Sequence, residues 1–270
     1  MLALASLALT AFVSIRSPNA PRACVCRTSS PACAHVLAAE DGLVSWVASH
    51  GGGASVSVGD VGGGLRGLLA TRDAAVGDVL LEVPLRCVLA TRGEGEPMPT
   101  EPPEWCSALP WNVQLAISVL SQQSTAEWGP FLSTWPAGLP DLPMWLEPGE
   151  LAAAQDPKFE SEADASCFWL QEQYFDAFDA AEAHHAETAK EGVPFYFVPE
   201  PDFRRAMLLV WSRCLRLTAG PFGVRRLLVP LLDMANHDGE ANPFLGHIES
   251  TWQGVGEGGR RRCVERSSSA

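Results

Sequence analysis

Three side chains able to ligate a metal, Asp233, His237 and Asp238, fall within six residues after the apolar run Leu227-Leu228-Val229-Pro230-Leu231-Leu232. A zinc site takes three or four such ligands at recognisable spacing. No further set of cysteines or histidines supplies the rest. The cluster is expected to be a turn held by local hydrogen bonds, without a metal. Arg213 is the sharper feature. It falls at the edge of an apolar helical stripe, where an unpartnered guanidinium would be costly. Two partners suit it: a carboxylate from the acidic middle of the chain, or the carboxylate of a bound ligand.

Gly62-Gly63-Gly64-Leu65-Arg66-Gly67 and Gly254-Val255-Gly256-Glu257-Gly258-Gly259 both match G-x-G-x-x-G by letter. A dinucleotide fingerprint ends a strand and opens a helix whose N-terminus faces the pyrophosphate. The first match runs into strand-like Leu68-Leu69-Ala70, and the second into three arginines, so neither qualifies. The first cluster still allows backbone to approach a ligand closely. His184-His185 falls on an Ala/Glu-rich helix and reads as a solvated face. No Gly-x-Ser-x-Gly elbow and no Walker-type loop occurs.

The elements that must carry these residues follow from periodicity. Gly42 to His50 is helical, and Val56 and Val58 alternate with small polar residues as in a strand. Leu65 to Ala70, Val79 to Val83 and Cys87 to Ala90 complete a unit of short strands over residues 55–90. Arg92 to Glu104, rich in glycine and proline, reads as a linker. Trp111 to Ser121 is helical. Residues 166–190 give a longer amphipathic helix with Leu170, Tyr174, Phe178 and Ala181 on one face. A third helix opens at Pro201-Asp202 and carries Phe203, Ala206, Met207, Val210, Cys214 and Leu217 to a stop at Gly220-Pro221. The run Leu227 to Leu232 reads as a buried strand.

Composition narrows the function. The chain has 19 basic and 32 acidic residues, a net charge of −13, which argues against a nucleic-acid binder. Asp141 to Glu191 holds 13 carboxylates against Lys158 and Lys190, the only lysines. No apolar run reaches the roughly 18–20 residues that a membrane span needs. Residues 1–39 contain Arg16, Arg22 and Arg27 and no carboxylate. This leader resembles an organelle transit peptide with a signal-like front, Leu2 to Val13, so a plastid address is expected, with the cytoplasm as alternative. Cys24, Cys26 and Cys33 fall in the leader. Cys87, Cys106, Cys167, Cys214 and Cys263 form no C-x-x-C pair and read as free thiols in a reducing compartment.

Several segments meet a known pattern. Asp233-Met234-Ala235-Asn236-His237, after Leu228-Val229-Pro230-Leu231-Leu232, resembles the Asn-His signature of SET-domain methyltransferases. The branch is that of the Rubisco large-subunit lysine methyltransferase and the actin histidine methyltransferase. Gly64 to Asp73 followed by Gly77 to Pro84 resembles the first SET strands. Trp128-Gly129-Pro130-Phe131-Leu132 with Leu139-Pro140 resembles the helical insert, and Val210-Trp211-Ser212-Arg213 the helix before the signature. The resemblance covers residues 40–244, with five segments in the family's order.

The resemblance implies an α+β fold: a SET β-fold of short strands with a helical insertion, its C-terminal part missing. Expected boundaries are a disordered leader over 1–39, a β-unit over 40–95, an acidic helical insertion over 96–200, the SET helix, strand and Asn-His motif over 201–244, and a disordered tail over 245–270. It also implies S-adenosylmethionine as cofactor. Backbone of Gly64, Leu65 and Arg66 would meet its methionine part, and Arg213 its carboxylate. Asn236 and His237, with Asp233 in the same motif, would hold the amino group and adenine. The implied activity is protein-lysine N-methylation, with a lysine side chain of a protein as substrate, no nucleic acid and no membrane. The family's Gly-Glu-Glu segment and Tyr-Gly motif do not occur; Tyr174 and Tyr196 are the only tyrosines and stand upstream. Weak or absent catalysis is therefore expected, and a non-catalytic SET-scaffold interaction module is the alternative.

Overall fold

The period-two alternation of residues 55–90 becomes short antiparallel strands in a computed structural model. It describes residues 10–16, 41–61, 65–73, 78–136, 142–189, 195–235, 248–254 and 261–264. The chain forms two units. One comprises Met1–Glu101, Ala126–Thr134 and Arg213–Ala270, and the other Pro102–Thr125 and Trp135–Ser212.

In the strand unit, helix α1 (41–49) buries Leu43, Trp46 and Val47 and ends at Gly51, whose φ of +89° lets the chain reverse. Strands β3 (Val56–Asp60) and β4 (Arg66–Ala70) pair with Asp60 opposite Arg66 and Val56 opposite Ala70. Val56 and Val58 are buried while Ser57 and Gly59 are not, as alternation requires. Strand β2 (Gly53–Ala54) pairs with β5 (Val79–Pro84). Strand β6 (Leu89–Ala90) pairs with β8 (Val224–Leu228), which pairs in turn with β7 (Leu215–Thr218). The strands of residues 55–90 thus join the strand that follows the third helix, and among the described residues every pairing is antiparallel.

Four features of the strands and their connections differ from the sequence expectation. The third helix stops at Arg213, and Leu215–Thr218 is a strand. Cys214 and Leu217 continue the helical spacing by coincidence, whereas Leu215-Arg216-Leu217-Thr218 also alternates, and pairing with β8 decides in favour of the strand. The expected strand at 227–232 begins earlier, at Val224, and ends at Leu228. Thr10–Arg16 (β1) and Ile248–Gly254 with Arg261–Val264 (β9, β10) are strands where disorder was expected; β1 lies between β5 and β9 in a five-stranded sheet. Thr10 to Arg16 includes the strand-favouring Phe12, Val13 and Ile15, and its pairing removes an open edge from β5.

The fourth difference is the segment 92–104. Up to Glu101 it is packed into the strand unit around Arg225, which is 1% exposed. Arg225 Nη2 donates to the Glu96 carbonyl (3.1 Å) and to Glu101 (3.3 Å). The glycines are structural: a Cβ on Gly93 would overlap this guanidinium, and one on Gly95 would overlap the Phe222 carbonyl. The two units divide at 101/102, 125/126, 134/135 and 212/213.

The second unit is helical. Helix α2 (Trp111–Gln123) buries Val113, Leu115, Ala116, Ile117 and Val119. The short helix α3 (Gly129–Leu132) lies in the segment grouped with the strand unit. After α4 (Pro148–Ala153) comes α5 (Pro157–Thr188), 32 residues long. It starts nine residues before the expected point because the Asp156 carboxylate caps the amides of Lys158 and Phe159, with Pro157 in the first turn. Its buried stripe includes Leu170, Gln173, Ala177 and Ala181. Helix α6 (Glu200–Arg213) buries Phe203, Ala206, Met207 and Val210, the stripe read from the sequence. Among the described residues no helix is long and apolar enough to cross a membrane.

Candidate functional site

Three of the residues nominated for a ligand site, Arg66, Arg213 and Asp233, come together within the strand unit. The β8 strand ends at Leu228, and the chain turns through Leu231, a buried leucine with φ of +66° and ψ of −46°. That conformation is strained for any side chain with a Cβ and costs on the order of 1–3 kcal/mol. It leads into a 3-10 turn over Leu232–Met234, which buries Leu232 and Met234 and directs Asp233 inward.

Asp233 receives the guanidinium of Arg213 at 2.8 Å. The carboxylate side chain is 0% exposed and the arginine side chain 13%. Arg213 is the last residue of α6 and reaches this carboxylate. Arg66, at the first position of β4, adds a second positive field at Asp233 and donates from Nη1 to the Thr134 carbonyl at 2.8 Å. Thr134 is itself fixed by its hydroxyl bond to the Phe131 carbonyl. Ala126–Thr134, expected within the helical insert, groups with the strands: Trp128 packs against Trp46 and Thr134 braces Arg66.

Burial pushes the Asp233 carboxyl above the ordinary aspartate value. Arg213, by charge and hydrogen bond, and more distantly Arg66 pull it back without cancelling the rise. One oxygen, Oδ1, is buried with no hydrogen-bond partner among the described residues. A buried acceptor without a donor is rare enough in folded proteins to need an explanation. Two cations and a carboxylate with an unfilled acceptor can receive a zwitterion: guanidinium for a carboxylate, Oδ1 for an ammonium.

Of the other nominated residues, Leu65 is exposed and its carbonyl accepts from the Val61 amide at 2.8 Å, closing the turn between β3 and β4. Gly64, Asn236 and His237 lie outside the described residues. Among the described residues no group of three or more His, Cys, Asp or Glu is placed to hold a metal ion. Both tyrosines belong to the helical unit. The Tyr174 hydroxyl donates to the Val198 carbonyl at 3.0 Å and its ring packs edge-on against Phe203, while Tyr196 is 80% exposed. Sequence reasoning overlooked the Thr134 brace and the strained Leu231; neither a carbonyl acceptor nor a positive φ at leucine has a residue-type signal.

No protein-family model and no curated protein sequence matches the chain. Among solved structures it is similar to the crystal structure of the SET domain of LSMT bound to methyllysine and AdoHcy, with a TM-score of 0.58 at 18% sequence identity. The similarity covers 88% of this chain and 53% of that one, so the chain spans about half of its length. Short antiparallel strands, the helices between β6 and β7, and this structural agreement lead to one conclusion: the chain has the fold of a SET domain.

Proposed function

We propose that the strand unit binds S-adenosylmethionine and forms part of a SET-type protein-lysine N-methyltransferase. The observation that carries this reading is the buried Arg213–Asp233 pair with its unfilled Oδ1 acceptor and Arg66 nearby. The similar SET domain was crystallised with AdoHcy and methyllysine, which supports both the cofactor and the substrate class.

The residues fit the methionine end of that cofactor. Arg213 has five donors and can serve Asp233 and a ligand carboxylate together. Asp233 Oδ1 accepts from the ligand's amino group. Backbone of Gly64, Leu65 and Arg66 holds the methionine portion, and Asn236 and His237 the amino group and adenine. When bound, S-adenosylmethionine supplies a methyl group on a sulfonium, reactive toward an uncharged amine. The chain's task is to orient it and exclude water.

A non-catalytic interaction module on the same scaffold is favoured by one observation: Tyr174 is committed to packing and a backbone bond, and Tyr196 is at the surface. Transfer of a radiolabelled methyl group from S-adenosylmethionine to a plastid protein extract separates the two. Labelled lysine supports the enzyme. Cofactor binding without label supports the module, and neither result refutes both.

A further inference from the structure

The outer face of α5 carries an exposed stripe within the helical unit. Asp164, Phe168, Glu172, Phe175, Asp179 and Glu182 recur at steps of four, four, three, four and three residues, which places all six on one side of a helix. All six are exposed, Phe168 by 61% and Phe175 by 52%. The opposite side of the same helix, with Leu170, Gln173, Ala177 and Ala181, is the one that is buried. A helix already anchored on its inner face gains little folding stability from phenyl rings that stay more than half exposed on its outer face. Two bulky rings left in water between carboxylates point to a partner.

We infer that this stripe docks a basic amphipathic helical segment of another protein. Phe168 and Phe175 are seven residues, about 10.5 Å, apart along the axis. That matches the i, i+7 spacing of apolar residues on a partner helix packed alongside. The four carboxylates flank the rings where lysine or arginine of such a segment would lie, and their stems cover the ring edges. Across its length α5 has eight carboxylates and Lys158 as its only lysine or arginine, so the field extends beyond the stripe. A second copy of this chain would set like charges against one another, and an anionic lipid surface would be repelled. Basic protein is the occupant that both charge and spacing favour. The inference stands apart from methyl transfer and is tested without cofactor.

The test uses the full chain and a fluorescein-labelled leucine-lysine peptide of about 18 residues, or five helical turns. Leucines stand at i, i+3, i+7 spacing, and a scrambled peptide of equal charge is the control. Anisotropy is expected to show saturable binding, weakened at least tenfold by Phe168→Ser with Phe175→Ser, and similarly by Glu172→Lys with Asp179→Lys. Asp176→Lys with Glu187→Lys makes the same charge change off the stripe and is expected to leave binding within twofold. Circular dichroism confirms that each exposed-site variant keeps its helix. Equal binding of the scrambled peptide, or equal loss in the off-stripe variant, overturns the inference by reducing it to bulk charge. Sedimentation showing a dimer that the phenylalanine variants dissolve overturns it in favour of self-association.

Discussion

Arg213 closes helix α6 and Asp233 sits in the middle of the 3-10 turn after β8, and the two meet at 2.8 Å with the carboxylate wholly buried. A buried pair of this kind contributes little when compared with a well-packed apolar pair, yet breaking one side is expensive. It serves better as a positioned charge pair than as a source of stability, and its unfilled Oδ1 fits that role.

Asp233→Ala leaves the guanidinium of Arg213 buried without this carboxylate. The expected loss is about 3–5 kcal/mol in urea unfolding. Asp233→Asn keeps the shape and a hydrogen-bonding oxygen and is expected to lose less. Equal stability of Asp233→Ala and the wild type would show that the pair is open to solvent.

The pH dependence of that site has a definite sign. Burial raises the Asp233 carboxyl in the folded state, so the folded chain holds this proton more tightly than the unfolded one. The stability so contributed is present below the ordinary value of 3.8 and is lost as pH rises through the raised value. Asp233→Asn has no such group. Its stability relative to wild type is therefore expected to climb as pH rises above 3.8 and then level off. Urea unfolding of both proteins over a pH series checks it, and a wild-type advantage over Asp233→Asn that widens with rising pH would refute the raised carboxyl.

The Arg225 cradle gives a second stability test. Gly93→Ala and Gly95→Ala each force a Cβ into atoms that cannot retreat, the buried guanidinium and the Phe222 backbone. Each is expected to cost at least about 1–3 kcal/mol, as overpacking does. Gly42→Ala and Gly149→Ala meet nothing within 4 Å and serve as controls expected to be near neutral.

Cys87 is fully buried, and that burial pushes its thiol up to about 12, against the pull of Arg86. The thiolate is the reactive form. Cys87 is expected to resist iodoacetamide at pH 8 in the folded chain and to react once urea is added, with peptide mass spectrometry locating the label. Rapid labelling of Cys87 in the native state would mean that the packing around β6 opens readily.

What was legible in the sequence depended on patterns that only one structure satisfies. The alternation of Val56 and Val58 and the stripe Phe203, Ala206, Met207, Val210 admitted one period each, and both elements form as read. Cys214 and Leu217 fitted two periods, and the hydrogen-bonding partner in β8 decided between them. Glycine and proline in 92–104 signal irregular backbone, but not whether it packs; Arg225 supplies the reason it does. The site was legible as residue types, Arg213 and Asp233 above all. Their pairing with each other was not, because either charge alone could equally have met a ligand or a distant partner.

Calorimetric titration of the full chain with S-adenosylhomocysteine tests the cofactor site most directly, since it needs neither a substrate nor turnover. The wild type is expected to bind with a Kd no weaker than about 100 μM, and Arg213→Met at least tenfold more weakly, a loss of about 1.4 kcal/mol. Arg213→Met must first be shown folded by circular dichroism. No detectable binding by the wild type, or equal affinity in folded Arg213→Met, would contradict the assignment of the Arg213–Asp233 pair to the cofactor.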